Sequence, residues 1–296
     1  MKNLGASVYD QLTKLSKASS RPFQELLLYY AMERFLARLA KSKSKNELIL
    51  KGALMLHVLS PDLARATRDI DFLGSFKNDL DEAAERVRQI CSVEIEDGIL
   101  FELEKINVVR IKEDADYEGV RVSFYAKIGS ARIPIQLDMG FGDAVTPAAF
   151  VGAYPQLLNE DTFSLKMYPR ETIVAEKLEA MVKLDMINSR MKDFFDIWFL
   201  SRSFEFDGGT LQKAIQATFK RRGTDLVEIP MGLTETFWVN AQKLTQWRAF
   251  RKRLNVFAPE QLADVGIEIS KFLFPVLMSI KLKNEFKKTW SEAQWK

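Results

Sequence analysis

The chain has 296 residues, 47% of them hydrophobic and 28% charged, with a formal net charge of +3. That balance suits a soluble globular protein of one large or two closely packed domains and excludes global disorder. One cysteine, Cys91, rules out an internal disulfide and fits a reducing cytoplasm, while one histidine, His57, leaves no ordinary structural zinc site.

The same scarcity limits the chemistry. A Ser-His-Asp triad would have to use His57, and no nucleophile-elbow pattern accompanies it. A bound metal must therefore be hard and held by oxygen, which means Mg²⁺ or Mn²⁺. No apolar run approaches the roughly 20 residues of a membrane span. The opening segment has no uninterrupted apolar core, so no secretory signal and no membrane partner are expected.

The first 45 residues read as helical, with Leu27, Tyr30, Ala31, Phe35 and Leu39 at helical spacing in "FQELLLYYAMERFLARLAKS". Ser19 and Ser20 are expected to cap that helix, and Pro22 to lie in its first turn. From about Asn46 to Phe150 the texture becomes alternating. "ELILKG" is a short buried strand that turns at Gly52 into the helix "ALMLHVLS". "RDIDFLG" is the next strand and "NDLDEAAERVRQIC" a helix. Three strands follow: "ILFELEKINVVRI", "VRVSFYAKIG" and "ARIPIQLDMG". In the second, Val120, Val122, Phe124 and Ala126 alternate with Arg121, Ser123, Tyr125 and Lys127; in the third, Ile133, Ile135 and Leu137 alternate with Pro134, Gln136 and Asp138. A mixed α/β sheet follows from this pattern.

From about Leu165 helices dominate: "RETIVAEKLEAMVKLDM", "SRMKDFFDIWFLS", "GGTLQKAIQATFKRR", "TETFWVNAQKLTQWRAFRKRL" and "APEQLADVGIEISKFLFPVLMSIK". The expected division is 1–160 for an N-terminal helix plus sheet lobe and 161–296 for a helical lobe. The turn-rich "GFGDAVTPAAFVGAYPQLLNED" would join them, though it is too apolar for a free tether.

In a strand, residues i and i+2 share a face, so Asp69 and Asp71 project together while Ile70 and Phe72 face the core. Two carboxylates held that close repel unless a cation lies between them. Asp138, on the polar face near the end of another strand, is a third candidate. Three such groups would form the clamp of a two-metal site, with ions roughly 3.5–4 Å apart. Gly52 lies 17 residues before Asp69, and its strand-to-helix turn would offer backbone N–H groups to a phosphate. The bland alternative places Asp69 and Asp71 on a solvated strand face and Asp138 at a turn. A second charged group lies in the helical half: Lys177, and "RMKDFFDIW" with Asp193 and Asp196. Its bland reading is an amphipathic helix with Phe194, Ile197 and Trp198 inward and the charges outward.

The ordered set "ELILKGALMLHVL", "TRDIDFLG", "ETIVAEKLEAM" and "SRMKDFFDIWFL" resembles the AbiEii/MenT-like nucleotidyltransferase toxins, over roughly Leu48 to Leu200. The resemblance implies a bilobed protein with a DNA-polymerase-β-like nucleotidyltransferase N-lobe, an α/β (α+β) mixed sheet, and a helical C-lobe. It implies Mg²⁺-dependent transfer of a nucleotide from a nucleoside triphosphate to RNA, notably the tRNA 3′ end, so that aminoacylation and translation are blocked. It also implies a cognate antitoxin and a role in toxin–antitoxin or phage-defence systems. Residue by residue, Asp69 and Asp71 match the metal-binding pair, Lys177 the lysine that contacts the triphosphate, and Asp193 the final catalytic aspartate, with Asp196 beside it. Lys51, Gly52, Ala53, Thr67 and Arg68 fall on nucleotide-binding positions, and Asp138 rests on its place in the strand.

One departure stands out. Where the family turn resembles K-G-G-T-A-L-R, this chain has Lys51-Gly52-Ala53-Leu54-Met55-Leu56-His57. A methyl at Ala53 narrows the approach of backbone to phosphate, and Leu54 has no hydroxyl to donate. His57 reads as a surface or partly buried helix residue without chemical duty. Basic residues cluster at 220–222, in "QKLTQWRAFRKRL" beside Trp247 and Phe250, and in a tail from Lys281 to Lys296 with five lysines against two glutamates. Such a track suits RNA, with aromatics to stack on bases, and suits solvated helix faces equally. Two alternatives stay open: nucleotidyl transfer to a protein or small molecule, and a catalytically weakened member that binds nucleic acid or an antitoxin.

Overall fold

The computed structural model describes residues 4–19, 21–60, 65–114, 117–159 and 161–296. The chain divides into two compact units, one of Met1–Gly142 with Phe150–Met167, the other of Asp143–Ala149 with Tyr168–Lys296.

The first unit holds α1 (Leu4–Ser19), α2 (Phe23–Lys41), β1 (Leu48–Lys51), α3 (Ala53–Leu59), β2 (Ile70–Gly74), α4 (Leu80–Cys91), β3 (Ile99–Asp114), β4 (Tyr117–Ile128), β5 (Ala131–Phe141), β6 (Phe150–Tyr154) and β7 (Phe163–Met167). Its seven strands form one mixed sheet in the order β3-β4-β5-β2-β1-β7-β6. β2 runs parallel to β5 and β1 parallel to β7; the other pairs are antiparallel. Alternation makes this sheet two-faced. Ile70, Phe72, Val122, Phe124, Ile135 and Leu137 are buried. Phe35 of α2 covers them, its ring 6.0–6.3 Å from those of Phe72, Phe101 and Phe124. The residues between them, Asp71, Arg121 and Asp138 among others, point to the opposite face.

Local chemistry sets the element ends. Asp79 caps α4 by accepting from the backbone N–H groups of Asp81 and Glu82. Ser19 does not cap α2 as expected: it closes α1, donating its hydroxyl to the Leu15 carbonyl, and Pro22 is the N-cap of α2. Ser20 lies outside the described residues. β6 lies in the stretch expected to be only a turn-rich join, and β7 just after it, at the start of the part assigned to the helical lobe.

The second unit contains α5 (Arg170–Leu184), α6 (Met191–Ser203), β8 (Phe206–Asp207), α7 (Gly208–Arg222), α8 (Glu235–Trp238), α9 (Ala241–Arg251), α10 (Leu262–Lys281), β9 (Thr289–Ser291) and β10 (Gln294–Trp295). The run expected as one helix over 234–254 splits into α8 and α9, because Asn240 accepts from the backbone N–H groups of Gln242 and Lys243 and starts a new helix. A small sheet, β10-β9-β8, closes the chain, and Trp290 and Trp295 pack on Phe272 with centroids 4.9 and 5.7 Å away. No helix among the described residues is long and apolar enough to cross a membrane.

Candidate active site

Four charged residues form a row across the polar face of the large sheet. Lys51 of β1 stands opposite Asp71 of β2, Asp71 opposite Asp138 of β5, and Asp138 opposite Arg121 of β4. Directly opposed residues share a face, so two carboxylates lie between two cations. Asp69 sits just before β2 rather than inside it, yet joins the group: single oxygens of Asp69, Asp71 and Asp138 all lie within 4.8 Å of one another. Asp69 and Asp71 are half-buried and Asp138 is buried.

Each carboxylate has its place set by a neighbour that local sequence does not announce. The Thr67 hydroxyl donates to Asp69 Oδ1 at 2.6 Å, and the Thr67 backbone N–H donates to the Tyr29 hydroxyl at 3.1 Å. Thr67, a predicted nucleotide-binding residue, thus orients an aspartate. Gly52 adopts φ +72°, and a Cβ there would stand 1.9 Å from Asp71 Oδ2. Only glycine leaves room for that carboxylate. Asp138 gives both oxygens to Arg121, which donates from Nε at 2.8 Å and from Nη2 at 2.7 Å. That hydrogen-bonded pairing, with the charges of Asp138, Asp69 and Asp71, holds the Arg121 pKa above its usual value. Sequence reasoning missed Arg121 as a site residue. The two-residue Gly129-Ser130 hairpin could have revealed it, because Arg121 lies seven residues before Ile128 and Asp138 seven after Ala131, and these two residues pair.

Of the other predicted nucleotide-binding residues, Lys51 and Ala53 are buried and Arg68 is exposed. Leu54 belongs to the core. His57 is buried, edge-on to Tyr29 with centroids 5.2 Å apart.

The second unit brings Lys177, Asp193 and Asp196 together. Lys177 Nζ lies 2.9 Å from Asp193 Oδ1 and 2.6 Å from Asp196 Oδ2, and Arg190 Nε lies 2.7 Å from Asp193 Oδ2. Both aspartate side chains are 0% exposed. This corrects the bland picture of α6 with its charges outward: on one turn of helix both carboxylates face inward, where they are matched by Lys177 and Arg190. Burial removes one element of the expected RNA track and ion pairing engages another. Trp247 is 1% exposed and donates its indole N–H to the Pro259 carbonyl, and Arg222 is engaged by Glu179 and Asp143. Lys220, Arg221, Arg248, Lys252 and Arg253 remain exposed, as does Phe257, which sequence reasoning passed over.

Residues 34–272 match the family model described as "Nucleotidyl transferase AbiEii toxin, Type IV TA system". The chain belongs to the AbiEii nucleotidyl transferase toxin family. Solved structures similar to it include JHP933 from Helicobacter pylori, with 17% identity over 88% of this chain and 96% of that one and a TM-score of 0.50. A candidate nucleotidyltransferase from H. pylori shows 18% identity over 89% and 97%, with a TM-score of 0.48. At such identity the likeness to JHP933 concerns the fold alone, a mixed sheet with helices. No curated protein matches the chain.

The family implies a divalent metal, and the acidic group fits one. Its donors are all carboxylate oxygens, and among the described residues no other group of three or more His, Cys, Asp or Glu is close enough to share an ion. Such a donor set selects Mg²⁺ or Mn²⁺ over zinc or copper.

Proposed function

We propose that this AbiEii-family protein is a Mg²⁺- or Mn²⁺-dependent toxin that transfers a nucleoside monophosphate from a nucleoside triphosphate to an RNA acceptor, the tRNA 3′ end, and so blocks translation. The observation that carries the reading is the convergence of Asp69, Asp71 and Asp138 within 4.8 Å at the central strands β2 and β5 of the sheet of a nucleotidyl transferase family member. Asp69 and Asp71 would hold the ion, with Asp138 beside them in the grip of Arg121. Bound there, it supplies Lewis-acid neutralisation of phosphate charge. In the reaction the acceptor hydroxyl oxygen bonds to the α-phosphorus, the bond from that phosphorus to the bridging oxygen breaks, and pyrophosphate leaves with the electron pair.

The chain's contribution is positioning and electrostatics. Thr67 fixes the rotamer of Asp69, and Gly52 leaves Asp71 its place. The family pattern gives Lys177 the charge of the phosphates, and Asp193, with Asp196 beside it, the orientation of that lysine or the hydroxyl proton. Exposed Lys and Arg on α7 and α9 suit a phosphate backbone. A toxin of this kind implies an antitoxin and fits a role in phage defence.

The test is induction of the wild type and of Asp69→Ala, followed by sequencing of tRNA 3′ ends. Added nucleotides and growth arrest in the wild type alone support the proposal. If labelled triphosphate reaches protein and not RNA, the acceptor is wrong; if Asp69→Ala remains toxic, the enzyme reading fails.

A further inference from the structure

The three carboxylates of the acidic group are not equivalent. Asp69 receives a neutral hydroxyl from Thr67. Asp138 faces a full positive charge, delivered by the planar fork that suits a carboxylate best. The fork is held from a second side as well: with its amide oxygen turned to the guanidinium, Gln136 accepts from Arg121 Nε and Nη2, both at 3.2 Å. Asp138 is 9% exposed in its side chain and Arg121 37%, so a largely buried acid is neutralised by a cation that reaches solvent.

An ion drawn directly onto Asp138 would meet that guanidinium at close range, and like charges oppose each other there. The row of Lys51, Asp71, Asp138 and Arg121 already pairs each carboxylate with a cation in register. We infer that Arg121 is a positioning residue that competes with the divalent ion for Asp138, confines the ion to Asp69 and Asp71, and keeps metal affinity low in the nucleotide-free protein. The inference rests on the metal role proposed for Asp69 and Asp71.

The experiment is a Mn²⁺ titration of the full chain without nucleotide, read from the electron paramagnetic resonance signal of free Mn²⁺. Arg121→Gln should bind Mn²⁺ on the order of tenfold more tightly than wild type, the size of effect that one adjacent charge exerts. Arg121→Lys, which keeps the charge and loses the fork, should fall between, and it carries the test if Arg121→Gln does not fold. Adding Asp138→Asn to Arg121→Gln should return affinity close to wild type. Unchanged or weaker binding in both Arg121 variants would overturn the inference, as would a double variant far weaker than wild type, since Asp138 would then be an ordinary ligand. Asp69→Asn separates the two levels. If it abolishes binding while the Arg121 variants fail to tighten it, only the inference falls; if it leaves binding unchanged, the metal role falls and the inference with it.

Discussion

Each unit gathers aspartates that face a cation, and the two groups are balanced differently. In the second unit Asp193 and Asp196 are sealed from solvent and matched in charge by Lys177 and Arg190, though Asp193 Oδ2 and Arg190 Nε make no aligned hydrogen bond. In the first, Asp69 and Asp71 stay half-exposed, and the fork of Arg121 is committed to Asp138. Burial without compensation is far too unfavourable to persist, so the closed group carries its own counter-charges, whereas the half-exposed carboxylates of the open one can be reached by a ligand. A D-x-D or D-x-x-D spelling does not distinguish them; the neighbours across strands and helices do.

The largest expected effect breaks the closed group. Lys177→Met leaves two buried carboxylates short of a partner and should lower stability by about 3–5 kcal/mol, measured by chemical denaturation. An activity loss in this variant without such destabilisation would show that the lysine serves the phosphates and not the fold. Glu33 sharpens the comparison as a buried acid only partly compensated: Arg34 pairs with it and the Leu157 N–H donates to it at 2.7 Å. Burial, outweighing these, pushes its pKa from 4.5 up to about 7. Between those values the folded state holds a proton that the unfolded state has lost. The contribution of Glu33 to stability is therefore fullest below about pH 4.5 and falls as pH rises to about 7, by on the order of 3 kcal/mol. Glu33→Gln should remove that decline; an unchanged pH profile would assign it elsewhere.

Smaller effects probe the open group. Gly52→Ala puts a methyl into the Asp71 carboxylate at a positive φ. It should lower stability by roughly 1–2 kcal/mol and weaken Mn²⁺ binding, as titration would show. Thr67→Val removes one hydrogen bond to Asp69 and should alter Mn²⁺ affinity by only about 1 kcal/mol, with the fold intact by circular dichroism.

Much of the sheet was legible, because β4 and β5 obey a strict period of two and Asp71 follows Asp69 by two residues. The amphipathic runs of α2, α5 and α10 were equally plain. β6 and β7 were hidden because "FVGAY" and "FSLKM" are short and lie among Gly, Pro and Asn. The break before α9 depended on one Asn side chain, and the burial of Trp247 on a tertiary hydrogen bond. At the candidate site the carboxylates stood out from their spacing. Arg121 and Thr67 did not, since their roles come from cross-strand register and from a loop folding back on its own aspartate.

The central claim is that Asp69 and Asp71 share a divalent ion with the phosphates of a nucleotide. A crystal grown with Mn²⁺ and a non-hydrolysable triphosphate analogue tests it most directly. An anomalous peak bonded to oxygens of both side chains and of the triphosphate is the predicted result. A bound analogue whose metal lies elsewhere, with the two aspartates untouched, would contradict it.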